Sequence, residues 1–242
     1  SISLRCVPIF EHNTTTGAVV RFMDISELSR RVQLRRSKES TIAEIHHRVK
    51  NNLQTISSLL RLQSRRVTVT EARTAIDDSV RRIRSIAVVH EILSHKADDI
   101  VHFDEVIKPL VRLVSEDLSD AERSIEFHVQ GDSVILPATQ TTALAVTLNE
   151  LMQNAVQHAF SDISHIEMPK LTIMFKSSQR MLKVTVSDNG LGLPLGFSKE
   201  NYGLGLTIVR NLIEMDLAGS IEIRRAESGG TKALIRIPIS QT

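Results

Sequence analysis

Two histidines stand side by side in EIHHRVKNNLQ, Glu44 to Gln54, followed at once by an arginine and a lysine. Near neutral pH a histidine of ordinary pKa keeps a lone pair free on one ring nitrogen, so imidazole can act as a base, a nucleophile or a phosphoryl acceptor. Helical geometry decides which of the two is accessible. At about 100° per residue, Ile42, Ile45, Val49, Leu53, Ile56 and Leu60 gather within about 80°, an arc that must face partner helices. His46 falls roughly 60° from the centre of that arc and is expected to pack or hydrogen-bond. His47 falls roughly 160° away, on the outer face with Asn51 and Gln54, and Glu44 lies one turn before it. His47 is therefore the candidate reactive group.

Four later stretches carry a second chemistry. In NELMQNAVQHAF, Glu150 and Asn154 are one helical turn apart, with Leu148, Leu151 and Ala155 expected on the buried face. A carboxylate and an amide so spaced can hold a hydrated Mg²⁺ and order polyphosphate oxygens. His158 follows along the Asn154 face, where touching phosphate and packing are equally open. In VSDNGLGLP, Asp188 ends a strand, and Gly190 and Gly192 let the backbone turn tightly beside a ligand. A carboxylate held there can accept from an exocyclic amine such as that of adenine. In NYGLGL, Gly203 and Gly205 precede a helix whose first amides and positive dipole end suit phosphate. In SGGTKALI, Gly230 turns the chain and Thr231 enters the last strand, its hydroxyl placed to support Asp188 or a base. Taken singly, the stretches read more readily as structure than as function, the glycine-bearing ones as hairpin turns or loops. Together, in this order, they point to a nucleotide site.

The elements that must position these residues follow from pattern. Leu4–Phe10 and Ala18–Ile25 are strand-like around a turn-rich HNTTTG; a pair of strands is marginal alone, so they are expected to be the end of a larger domain. From Ser26 no glycine or proline occurs until Pro109, a span that predicts a long helical hairpin. The break falls near RRVTVTEAR, where Thr68 and Glu71 have capping-box spacing. The second helix carries Ala72, Ile76, Val80, Ile83, Ala87 and Leu93 at three- and four-residue spacing, a stripe suited to a helix bundle. Beyond residue 95, helices over 103–118, 139–159 and 205–217 alternate with strands over 124–129, 171–175, 182–186, 220–224 and 232–239. That order predicts an α+β sandwich, one layer of helices on one sheet.

Composition removes several function classes. The 242 residues carry 30 basic and 28 acidic side chains, so no overall field argues for nucleic acid or membrane. Arginine pairs at 30–31, 35–36, 65–66 and 81–82 read as solvated helix faces, because almost no aromatics are interleaved for base stacking. Cys6 is alone, which fits a reducing, cytoplasmic setting. No apolar run approaches the length of about 18 residues needed to span a bilayer, and no signal peptide is present. Opening at Ser1 inside a strand-like stretch is expected of a piece of something longer.

With those residues in view, the chain resembles a two-component sensor histidine kinase. The stretch 103–239 is similar to the ATP-binding α/β sandwich shared by gyrase-type ATPases, Hsp90, histidine kinases and MutL. EIHHRVKNNLQTISSLLRLQSRR resembles the phosphoacceptor helix of the branch with an H-R-x-K-N signature, sister to the HWE group. The likeness is greatest to the soluble actinobacterial sensor kinases that signal to an RNA-binding antiterminator. GAVVRFMDISELSRR further resembles the last strand of a PAS domain and its junction into a signalling helix. The resemblance implies three parts: 1–27, a PAS remnant; 28–98, a dimerising hairpin forming a four-helix bundle in the homodimer; 99–242, the catalytic ATP-binding domain. It also implies His47 as phosphoacceptor, because the reactive histidine precedes the arginine. ATP then lies with adenine on Asp188, phosphates near the glycines and Mg²⁺ on Asn154. A response-regulator receiver domain takes the phosphoryl group. Departures are the absence of tryptophan, hence of the W-x-E signature; Arg48 where the commonest histidine kinases carry an acid; and a short lid, 193–202. Glu44, Asn51 and Glu150 all remain candidates to accept the distal imidazole proton. Lys50 and Arg48 either hold the γ-phosphate or keep the helix soluble. Rival expectations are a non-catalytic nucleotide-binding scaffold, an ATPase or serine kinase on the same fold, and an RNA-binding protein using the arginine pairs.

Overall fold

A computed structural model describes residues 2–11, 14–24, 26–94, 100–116, 125–160, 166, 168–178, 180–194, 196–198, 202–226 and 229–239. The chain divides into two compact units, Ser1–Ile45 and His46–Thr242, with the boundary inside the first helix.

In the first unit, β1 (Ile2–Glu11) and β2 (Thr14–Asp24) form an antiparallel hairpin with a register shift at Ile9 and Phe10. The strands run longer than the sequence suggests. Thr14 and Thr15 pair with Glu11 and Phe10, as β-branched residues favour, so only 12–13 of the expected turn lie outside the described residues. Leu4, Val7, Val19 and Phe22 are all exposed.

The first helix, α1 (Ser26–Ser64), and the second, α2 (Thr70–Ser94), form the hairpin. Its turn contains neither glycine nor proline. The predicted capping box is not used: Arg73 N–H donates to the Val69 carbonyl at 3.0 Å, so Val69 stands at the cap and Thr68 lies outside the helix. A tertiary bond fixes the turn instead, with Ser64 Oγ 2.7 Å from Asp77 Oδ1. On α1 the expected apolar arc is only partly covered. Val49, Leu53 and Leu60 are half-buried, whereas Ile45 and Ile56 are exposed.

The rest of the second unit is a two-layer sandwich. After β3 (Ile100–His102) come α3 (Asp104–Glu116), β4 (Glu126–Gly131), β5 (Ile135–Pro137) and α4 (Ala138–Asn154). Then follow β6 (Lys170–Ser178), β7 (Met181–Asp188), α5 (Leu204–Asn211), β8 (Ser220–Arg225) and β9 (Thr231–Pro238). The five-stranded sheet has the order β4-β6-β7-β9-β8; β4 and β6 are parallel and the remaining pairs antiparallel. Period-two alternation turns Leu171, Ile173 and Phe175, Leu182, Val184 and Val186, and Ala233, Ile235 and Ile237 into the core. The short antiparallel pair β3–β5 was not legible from sequence, because three residues carry no period.

Helix α4 is buried nearly all round, Leu144, Leu148 and Met152 completely so, because it packs against α2, α3, α5 and the sheet. It ends in a wider turn, Ala155–Ala159, closed by Phe160 N–H donating to the Ala155 carbonyl at 3.0 Å. Helix α2 belongs to the same core: Val89 and Leu93 are buried in one cluster with Leu110, Leu148 and Ile213.

Candidate nucleotide-binding site

A cavity of about 820 Å³ opens between α4, the loop after β7, the start of α5 and α2. That volume suits a nucleotide-sized ligand. At one end Asp188 terminates β7. Its Oδ1 accepts from the Gly190 and Thr231 backbone N–H groups, each at 3.0 Å. Burial pushes the Asp188 carboxyl above the usual carboxylate range, against the opposing pull of those two donors. The turns around it tolerate no side chain. A Cβ on Gly190 would come within 2.2 Å of the Ala159 carbonyl oxygen. One on Gly230, which has φ +77°, would come within 2.1 Å of the Asp188 carbonyl oxygen. Leu191 N–H donates to the Ala159 carbonyl at 3.0 Å and ties this loop to the end of α4. Gly192 also lines the cavity.

At the other end Gly203 caps α5, and its carbonyl accepts from Thr207 N–H at 3.0 Å. A Cβ on Gly205 would lie 2.8 Å from Glu150 Oε2 and 3.8 Å from Asn154 Oδ1. The first turn of α5 is thus pressed onto the polar edge of α4, with its free amides beside the two residues singled out for phosphate and metal. Glu150 is buried, not merely turned from the core face, and the Asn154 Nδ2 atom is buried with no hydrogen-bond partner in this structure. His158 is exposed and also lines the cavity. On the lid side, Phe197 and Tyr202 bring their rings within 5.6 Å at an angle of 30°, and burial raises the tyrosine pKa.

The third wall was not expected. Ala75, Asp78, Arg81 and Arg82 of α2 line the cavity. Arg82 Nε donates to Glu150 Oε1 at 2.6 Å, with side chains only 17% and 5% exposed. Gln157 Nε2 reaches Asp78 Oδ1 at 3.2 Å, and Arg81 pairs with the same aspartate. The reading of Arg81–Arg82 as a solvated face is thereby corrected. The available signal was the series Asp78, Arg82, Ser85, Val89 and Leu93, one stripe at helical spacing whose lower half is apolar and buried.

On α1, Glu44, His47 and Asn51 are exposed, and none of them lines the cavity; the His46 side chain lies outside the described residues. Lys50 forms an ion pair with Glu91 of α2 across the hairpin, a use that neither of its expected roles included.

Residues 44–118 match the family described as histidine kinase. Residues 139–241 match the histidine kinase-, DNA gyrase B- and HSP90-like ATPases. The sensor histidine kinase PdtaS of Mycobacterium tuberculosis is 43% identical over 242 residues, covering 100% of this chain and 48% of that protein. Over its whole length the chain is similar to sensor histidine kinases. PdtaS of Mycolicibacterium smegmatis gives the same identity and coverage. The blue-light-activated histidine kinase 2 of Erythrobacter litoralis is 30% identical over 207 residues, 83% of this chain and 57% of that one. Among solved structures, the histidine kinase domain of the Erythrobacter litoralis EL346 blue-light activated kinase superposes with a TM-score of 0.56 at 27% identity, covering 85% of this chain and 94% of that one. The chain spans about half the length of the PdtaS proteins it matches. No described helix is long and apolar enough to cross a membrane.

Proposed function

We propose that this chain transfers the γ-phosphoryl group of ATP to His47, and that the phosphohistidine then donates to an aspartate of a response-regulator receiver domain. What supports this most is one cavity with a half-buried carboxylate at one end and a helix N-terminus beside an amide at the other, in a chain whose stalk helix exposes His47. Asp188 accepts from the adenine amine. The amides that open α5 and the Asn154 side chain receive the phosphates.

Asn154 is the residue that would hold Mg²⁺ once nucleotide is bound. Among the described residues no cluster of three or more acids, histidines or cysteines forms a metal cage, which fits an ion that arrives with the nucleotide. Mg²⁺ there would neutralise phosphate charge. The chain's own part is in-line positioning. The imidazole of His47 offers a nitrogen lone pair to the γ-phosphorus. As that N–P bond forms, the bond to the bridging oxygen breaks and its electrons leave with ADP. The remaining ring N–H gives its proton to an acceptor. Glu44, Asn51 and Glu150 are the three candidates, and Glu150 must first leave Arg82.

In the same reading, 1–27 is a PAS remnant, 28–98 the hairpin through which two copies form a four-helix bundle, and 99–242 the catalytic domain. ATP as the proposed donor supports a cytoplasmic reaction.

The test is chemical. With labelled ATP and Mg²⁺ the chain should acquire acid-labile, alkali-stable label. His47→Gln should abolish it while leaving nucleotide binding intact, and Asp188→Ala should remove binding itself. Label lost in His46→Gln but kept in His47→Gln would reverse the assignment. Nucleotide binding with no label would leave a passive dimeric scaffold; phosphate release without histidine label would indicate an ATPase or serine kinase.

A further inference from the structure

We propose that Arg82 is a γ-phosphate ligand contributed to the nucleotide site by the second hairpin helix, and that Glu150 occupies it while phosphate is absent. This deepens the ATP reading and rests on it.

The cavity must receive a polyanion. Among the described residues that line it, those from α4, the β7 loop, α5 and the strands include no lysine or arginine; both arginines in the wall, Arg81 and Arg82, come from α2. Arg81 is spoken for by Asp78, an exchange that stays within α2. Arg82 is placed differently. It reaches across from α2 to Glu150 on α4, and one guanidinium nitrogen lies 3.3 Å from where a Gly205 side chain would begin. Its charged head therefore touches the first turn of α5, whose amides face the same space. A third side chain at residue 205 would fill that contact, and glycine leaves it open.

Pairing with Glu150 explains how the cation is kept without its ligand. Either charge would be strongly disfavoured at this depth if left alone. A terminal phosphate offers the guanidinium a bidentate partner with more negative charge than one carboxylate. Exchange of partners gives the site a means to tell ATP from ADP, since ADP has no γ-phosphate to compete with Glu150. It also releases the Glu150 carboxylate only when transferable phosphate is present.

The experiment is a comparison of nucleotide affinities. Wild type, Arg82→Gln, Arg82→Lys and Glu150→Gln are titrated with Mg²⁺ plus ADP or a non-hydrolysable ATP analogue. Arg82→Gln should weaken the ATP analogue about tenfold or more while ADP affinity stays within about twofold. Arg82→Lys should recover part of the loss, and Glu150→Gln should hold the analogue at least as tightly as wild type. Should Arg82→Gln strand Glu150 and unfold the chain, the double variant Arg82→Gln, Glu150→Gln removes both charges and carries the same expectation. Equal weakening of both nucleotides would reduce Arg82 to a structural staple and overturn the proposal. Tighter binding of the analogue by Arg82→Gln would overturn it too, making α2 a plug. Failure of the ATP reading looks different: wild type would bind neither nucleotide, and the proposal would fall with it.

Discussion

At Asp188 two forces oppose each other on one carboxyl. Two backbone N–H groups favour the ionised form, and burial, the larger effect, favours the neutral one. With the folded pKa above the unfolded value, the native state holds its proton more tightly. This group's contribution to stability is full below the ordinary carboxylate range and is lost as pH rises through the raised value. Binding runs the other way, because the ionised carboxylate is the better acceptor for an amine. ADP affinity, measured by titration at a series of pH values, should therefore climb with pH just above the usual carboxylate range. Asp188→Asn should flatten that climb. The neighbouring glycines give a second residue-scale comparison. Gly230 and Gly196 both have φ near +80°, but only Gly230 has backbone oxygen where a Cβ would go. Gly196→Ala should cost about 1 kcal/mol in urea denaturation. Gly230→Ala should cost about 1–3 kcal/mol beyond that and lose nucleotide binding.

Among the elements, those with a clear period were legible and those defined by partners were not. Strands β6 and β7 alternate cleanly because one face of the sheet is covered by helices, so their residues could be assigned before any fold was known. Glycines in three separate stretches marked the turns of the site for a local reason, close backbone approach. Strands β3 and β5 escaped because a three-residue strand leaves no pattern. The start of α2 was misplaced because Ser64 and Asp77, distant in sequence, fix the turn that Thr68 and Glu71 suggested locally. The role of Arg82 escaped for the same reason: a charge on a helix looks solvated until the element that covers it is known. Helix α2 also has a measurable mechanical role. Leu93 is 5% exposed in the core that contains the sheet, so Leu93→Ala should cost about 2–5 kcal/mol. That loss should appear when unfolding is followed at the nucleotide site as well as in the helices.

For the molecule as a whole, the apolar residues still uncovered say what the fold lacks. Ile45, Ile56, Leu59 and Leu62 of α1 are 45–57% exposed. A stripe of that kind is expected to be covered by a second copy, as in a four-helix bundle. Sedimentation at micromolar concentration should show a dimer, and Ile56→Glu with Leu59→Glu should shift it to monomer with little change in helix content. Only monomer in the unaltered chain would remove the bundle from the account.

Val89 and Leu93 make one helix a structural member of both the stalk and the nucleotide fold. Two binding events that meet on one helix are coupled wherever either of them shifts it, and thermodynamic linkage then makes their influence mutual. A repacking of the stalk that moves this helix would alter how firmly nucleotide is held, and by the same factor nucleotide would bias the packing of the stalk. Signal and fuel are then read through a single piece of backbone, in either direction.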